Sequence, residues 1–374
     1  MNVVIAIDSF KGSMTSLEAG KAAAEGVKRA FPSAMVKIMP VADGGEGTVE
    51  ALVQGLKGKL HKVKVKNPLN QDIEAEYGIV GTTAIIEMAS AAGIALIDKD
   101  LLNPMNTTTY GVGQIIKDAV LKGCREYIIG IGGSATNDGG VGMLTALGYE
   151  FLDKHGNSVA LGAKGLGDIV EIRDDKAMPQ LKECVFNIAC DVTNPLCGSN
   201  GCSAVFSPQK GAKPEDIPIM DRYLHKYADL TKQKYKNADM NFPGAGAAGG
   251  LGFAFLAYLN GQLKSGINLV LEKIKIENYI KQADVVITGE GRMDSQTVMG
   301  KAPVGIAKLA KKYGKTVLAF CGSVGSGAVV CNEHGIDAFF PIVRTPCTLS
   351  DAMNKQNAMA NMTDSVQQVM RIIK

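Results

Sequence analysis

Tryptophan is absent from the 374 residues, and aromatic side chains of every kind make up only 6%. The interior must therefore be filled by small aliphatic groups in closely spaced layers rather than by a few large aromatic anchors. A charge surplus is missing as well. Lys and Arg number 40 against 37 Asp and Glu, a net +3 with no basic stripe, so nucleic acid is not an expected partner. No apolar run is suited to a membrane span, because the longest uncharged stretch, 244–262, is interrupted by glycine. Met1-Asn2-Val3 leads directly into an apolar run without a basic region or a small-residue cleavage motif, so no secretory signal is expected. The eight cysteines include no CxxC pair, and the spacing of Cys184, Cys190, Cys197 and Cys202 fits no zinc pattern. Reduced thiols and a cytoplasmic location are expected. The four histidines, at 61, 155, 225 and 334, are scattered, which argues against a His-based triad or a His-ligated metal.

What is abundant is glycine, 44 residues, each a place where backbone can approach a ligand or another element closely. The pattern at both ends of the chain is strand, helix, strand, helix. The run 3–7 is continuously apolar, as in a strand buried on both faces. Thr15-Ser16-Leu17-Glu18 reads as a capping box opening a helix that Pro32 stops, and a second strand at 35–41 precedes a helix at 47–56. In the last third, strands at 283–288, 316–320 and 338–342 alternate with helices at 303–312 and 350–373. Between these ends the pattern changes to short alternating runs at 61–65, 74–80 and 84–88, an antiparallel meander. Helices at 110–121, 141–147 and 217–234 and strands at 127–131 and 185–190 follow it. The expected fold is α/β, with a Rossmann-like parallel sheet domain formed by residues 1–60 and 282–374 and a mixed α/β domain inserted at 61–281.

Ligands of open parallel sheets sit beyond the carboxyl ends of the strands. Those ends carry Asp8-Ser9-Phe10-Lys11-Gly12, Ala42-Asp43-Gly44-Gly45-Glu46-Gly47, Gly289-Glu290-Gly291-Arg292-Met293-Asp294 and a glycine- and serine-rich loop at 321–327. Any one of them reads equally as a turn. Together on one edge they gather carboxylates with Lys11 and Arg292, a set suited to a magnesium ion and a multiply charged phosphate ester. In the inserted region, Gly132-Gly133-Ser134-Ala135-Thr136-Asn137-Asp138-Gly139-Gly140 follows a strand and opens a helix, an anion cradle by its N–H groups. A second cluster, 244–252, reads either as another ligand loop or as a packing seam.

Several familiar motifs fail. Gly130-Ile131-Gly132 lacks the third glycine of a dinucleotide fingerprint, and Gly300-Lys301 resembles the end of a P-loop but is followed by Ala302. No Ser stands in a GxSxG elbow. What remains is the apparatus of phosphoryl transfer: backbone and cations for phosphates, acids for a metal, and a carboxylate to orient a hydroxyl.

The loops at 8–12, 42–48, 132–140 and 288–294, together with Cys190-Asp191-Val192-Thr193-Asn194-Pro195, resemble the bacterial glycerate kinase type-1 family in order along essentially the whole chain. The resemblance implies ATP and Mg2+ as cofactors, D-glycerate as the small-molecule substrate, and 2-phospho-D-glycerate as the favoured product. Glycerate 3-kinase activity, or phosphorylation of another small hydroxy acid, is the alternative. A non-catalytic ligand-binding regulator on the same fold is the alternative from another class. Membrane partners are not expected, and a homodimer is left open.

Residue roles are argued from chemistry. Lys11, Arg292 and Ser9 are the candidates for binding glycerate, since Arg grips a carboxylate bidentately. Gly132, Gly133, Ser134, Thr136, Asn137 and Asp138 are the candidates for the nucleotide phosphates. Asp191 is the first candidate for the general base and Asp8 the second, with Lys11 assisting. Asp43, Asp294 and Glu290 are the candidates for the metal. Asp191 also reads as an Asx-turn residue, and the cations as partners of Glu46 or Glu290.

Overall fold

Buried β-branched residues make the apolar run near the start a strand, β1 (Asn2–Ile7). The strands that follow in the computed structural model, which describes residues 1–373, are β2 (Met35–Ile38), β3 (Lys59–Lys66), β4 (Asp72–Val80), β5 (Thr83–Glu87), β6 (Glu126–Gly130), β7 (Glu150–Leu152), β8 (Glu171–Arg173), β9 (Val185–Ala189), β10 (Gln262–Lys264), β11 (Val285–Met293), β12 (Thr316–Val324) and β13 (Ala338–Pro341). The chain divides into two compact units, Met1–Lys57 with Ser265–Lys374, and Gly58–Lys264.

The first unit is a parallel five-stranded sheet of order β13-β12-β11-β1-β2. Its helices form as the sequence dictates. Thr15 Oγ1 accepts from the Glu18 N–H at 3.2 Å and the Glu18 carboxylate accepts from the Thr15 N–H at 3.0 Å, the reciprocal box that starts helix Ser16–Ala30. One face of that helix meets helix Lys355–Met370, where Thr363 Oγ1 donates to the Ala22 carbonyl at 2.9 Å. Val3, Ile5, Ile7, Val27, Leu318 and Phe320 fill the core between sheet and helices. Each buried aliphatic side chain of this kind stabilises the fold by about 1.5–3 kcal/mol.

Two sequence expectations change here. Residues 289–293 and 321–324 are strand, not loop, because the β11–β12 ladder continues through Glu290↔Cys321, Arg292↔Ser323 and Met293↔Val324. The single helix expected at 350–373 is two, Leu349–Met353 and Lys355–Met370, divided where Asn354 accepts from the N–H groups of Gln356 and Asn357.

The second unit carries a six-stranded sheet of order β10-β9-β6-β5-β4-β3. The meander is present as antiparallel β3–β4–β5, after which the sheet turns parallel through β5, β6, β9 and β10. The short strands β7, β8 and β10 were not anticipated, three residues each being too few to show a period. Because β10 pairs with β9, the inserted unit ends at Lys264 rather than at 281. Gly249 shows what the 244–252 cluster does. Its φ is +66°, and a Cβ there would lie 2.0 Å from the Thr136 carbonyl oxygen, so the cluster is a packing seam against the 136–139 segment.

Candidate active site

Parallel order fixes what the first unit presents at its carboxyl edge. The Asp8 N–H donates to the Gly289 carbonyl at 2.9 Å, which sets Asp8 next to Glu290 on the neighbouring strand. Asp8, Asp43 and Glu290 line one pocket of about 770 Å³ with Lys11, Arg292 and Lys301. The same pocket is also lined by the apolar side chains of Ile342, Val343, Leu349 and Met353.

The acids differ in state. Asp8 accepts the Ser9 N–H at 2.6 Å, yet burial first, and then the negative charges of Asp43 and Glu290, push its carboxyl up to about 7. Glu290 is 6% exposed. Burial raises its carboxyl, while a 2.6 Å bond from Thr297 Oγ1 and the Lys301 ammonium at 3.4 Å favour the charged form. Asp43 accepts from the Gly45 N–H at 3.0 Å, an Asx-type contact that fixes its direction.

The cations are held loosely. Lys11 Nζ lies 3.8 Å from Glu46 with both side chains more than two-thirds exposed, a pair that contributes little. Arg292 Nε lies 3.3 Å from Asp294, and its side chain is 69% exposed. Both are available to an incoming anion. Asp294, expected in the metal set, is not among the residues lining this pocket. Its carboxylate caps the turn Ser295–Val298 through the Gln296 N–H at 2.9 Å and pairs with Arg292. Lys301, set aside with the failed P-loop motif, is a pocket residue that sequence reasoning missed. The signal was its position just before helix Ala302–Lys311, opposite the Glu290 strand.

In the second unit, register places the 132–140 loop beside Asp191. Gly130 pairs with Ala189 at the ends of β6 and β9, so Gly132 and Asp191 follow adjacent parallel strands by the same two residues. Asp191 is exposed. The loop departs from the expected cradle. Asp138 is fully buried and accepts from Thr109 N and Oγ1 and from the N–H groups of Gly140 and Gly142. The protein's own carboxylate therefore occupies the start of the six-residue helix Val141–Ala146. Ser134, Thr136 and Asn137 are buried too, Ser134 accepting from Lys210 and Asn137 donating to Ser203 Oγ at 2.9 Å. Those side chains face the interior of the unit, where Lys210 meets Ser134 and Ser203 meets Asn137. Only Gly132 and Gly133 remain exposed. At Gly133, with φ +73°, the nearest neighbour to an added Cβ is Ala89 at 3.7 Å, so backbone N–H groups are open to a ligand there.

Among the described residues no group of three or more His, Cys, Asp or Glu side chains is arranged to hold a metal ion by itself, and no helix is long and apolar enough to cross a membrane. Grouped acids whose ionisation burial opposes, loosely held cations and an exposed glycine turn are the parts a phosphotransferase uses. The comparisons agree with that class. The model of the glycerate kinase family matches residues 3–374. A glycerate kinase of Haemophilus influenzae is 45% identical over 100% of this chain and 99% of its own length. A glycerate 2-kinase of Escherichia coli K12 is 44% identical over 94% of this chain and 93% of its own. A crystal structure described as that of a candidate glycerate kinase 2 from Salmonella typhimurium LT2 superposes with a TM-score of 0.92 at 42% identity, covering 100% of this chain and 98% of that one. The chain belongs to the glycerate kinase family.

Proposed function

We propose that this protein transfers the γ-phosphoryl group of ATP to D-glycerate, with the 2-hydroxyl as the favoured acceptor and 2-phospho-D-glycerate the product. Membership in the family and the relative named glycerate 2-kinase support the reaction. The observation that carries the site is Asp8, held in a cation-rimmed pocket beside two further acids.

In this reading the glycerate carboxylate lies against Arg292 and Lys11, with Ser9 as a hydrogen-bonding neighbour. A carboxyl poised near neutrality suits a general base, so Asp8 accepts the proton of the attacking hydroxyl. The Lys301 ammonium favours the charged form of Glu290 against the burial that raises its carboxyl. The exposed N–H groups of Gly132 and Gly133 receive nucleotide phosphates. Within the first unit, Asp43 and Glu290 are the acids that fit Mg2+, since hard oxygen ligands are what it requires. Bound there, it would neutralise charge on the transferring phosphoryl group. The eight free cysteines support a reducing, cytoplasmic location.

Asp191 is the second reading for the base, favoured by its register beside the glycine turn. Single-turnover assays of Asp8→Asn and Asp191→Asn separate the two. A loss of about a hundredfold or more confined to Asp8→Asn supports Asp8. The same loss confined to Asp191→Asn transfers the role.

A further inference from the structure

Lys210 has no part in the reaction as described so far, and its setting is unusual. It ends the turn Pro208–Lys210 and is 1% exposed. Its ammonium donates to Ser134 Oγ at 2.7 Å and to the Thr136 carbonyl at 2.7 Å. Both acceptors are neutral, and among the described residues no carboxylate forms an ion pair with it. Lysine is almost never fully buried unless paired, because an uncompensated charge in the interior is costly. Burial accordingly pulls this ammonium down to about 8, the opposing influences being Cys202 and Asp138. Asp138 does not neutralise it at close range, being engaged by Thr109, Gly140 and Gly142.

The surroundings are not those of a fully satisfied structural network. Thr136 Oγ1, Asn137 Oδ1 and Ser207 Oγ are buried without hydrogen-bond partners among the described residues. What the lysine does adjoin is the solvent-exposed turn. Ser134 directly follows Gly132 and Gly133, the exposed residues of the 132–140 segment.

We infer that Lys210 is a positioning residue of the phosphate site. It fixes Ser134 and Thr136 behind the Gly132–Gly133 turn and supplies from below the positive charge that makes the turn select a polyphosphate. The inference rests on the proposal that this turn receives the nucleotide phosphates. An arriving anion is then the charge that compensates the buried ammonium, which explains why the cation is retained at a cost to folding.

The test uses the full chain and two substitutions. Lys210→Met removes charge and donors at similar volume. Lys210→Gln keeps amide donors for Ser134 and Thr136 and removes the charge alone. ADP affinity by calorimetry is expected to fall about tenfold or more in both, the scale of a lost charged interaction, while the Michaelis constant for D-glycerate stays within about twofold, a shift too small to count as a lost contact. A merely structural role would lower Tm without separating the two substrates. Normal ADP affinity in either folded variant overturns the inference, and so does failure of both to fold. Gly133→Val is measured alongside. If it binds ADP normally, the turn itself has been misread. If it loses ADP while the Lys210 variants keep it, only the role of Lys210 falls.

Discussion

Asp8 and Glu290 enter one pocket from adjacent parallel strands, tied together by the 2.9 Å bond from the Asp8 N–H to the Gly289 carbonyl. Burial first, and then the negative charges of Asp43 and Glu290 alongside, hold the Asp8 carboxyl back from ionising. This makes Asp8 costly to the folded state near neutral pH. Its folded value, about 7, lies above the unfolded value of about 3.9, so the folded state binds more protons between the two and stability falls as pH rises through that window. Asp8→Asn is expected to raise the Tm of the metal-free protein at pH above 7, with the advantage shrinking toward pH 4, while cutting turnover by about a hundredfold or more. Thermal unfolding across that range checks it. An equal or lower Tm at high pH contradicts the electrostatic account.

Arg292→Ala should raise the Michaelis constant for glycerate by about tenfold or more, the scale of a lost charge-assisted pair, and leave that for ATP nearly unchanged. Its present partner, the 17%-exposed Asp294, also caps a turn, so some loss of Tm is expected with it. Steady-state kinetics with each substrate varied in turn read the difference.

Lys301→Met removes the ammonium that favours ionised Glu290. Turnover is expected to fall, with the loss concentrated in kcat rather than in glycerate binding. An unchanged kcat would reduce Lys301 to a surface charge.

Asp138→Ala is expected to act on stability rather than on chemistry. It strips the acceptor from Thr109, Gly140 and Gly142 in a fully buried setting, at a cost of about 3 kcal/mol or more. Denaturant unfolding measures it. A wild-type midpoint would show that the loop is held by its glycine seam alone.

Much of this was legible in the sequence, for identifiable reasons. The run at 3–7 and the capping box at Thr15 each obey one local rule, and the loops at 8–12 and 42–47 follow from the rule that ligands gather at strand ends. The register that sets Asp8 beside Glu290 depends on pairing across more than two hundred residues of sequence, which no local pattern encodes. The inward turn of Ser134, Thr136, Asn137 and Asp138 was equally hidden. A glycine-rich segment with polar side chains reads the same whether those side chains meet a ligand or Lys210 and Thr109, and only packing decides. Lys301 stands in a partial P-loop motif that fails as a whole, and the failed motif hides the one residue in it that reaches the pocket.

Phosphorylation of glycerate on its 2-hydroxyl is read most directly in the product itself. Incubation with D-glycerate and Mg-ATP, followed by phosphorus–proton correlation NMR of the product alongside coupled detection of ADP, tests it in one measurement. ADP is expected to be released in proportion to glycerate consumed, with the new phosphorus coupled to the single proton on carbon 2. Coupling to the carbon 3 methylene protons would contradict the assigned hydroxyl, and ADP release no faster than with ATP alone would contradict the kinase itself.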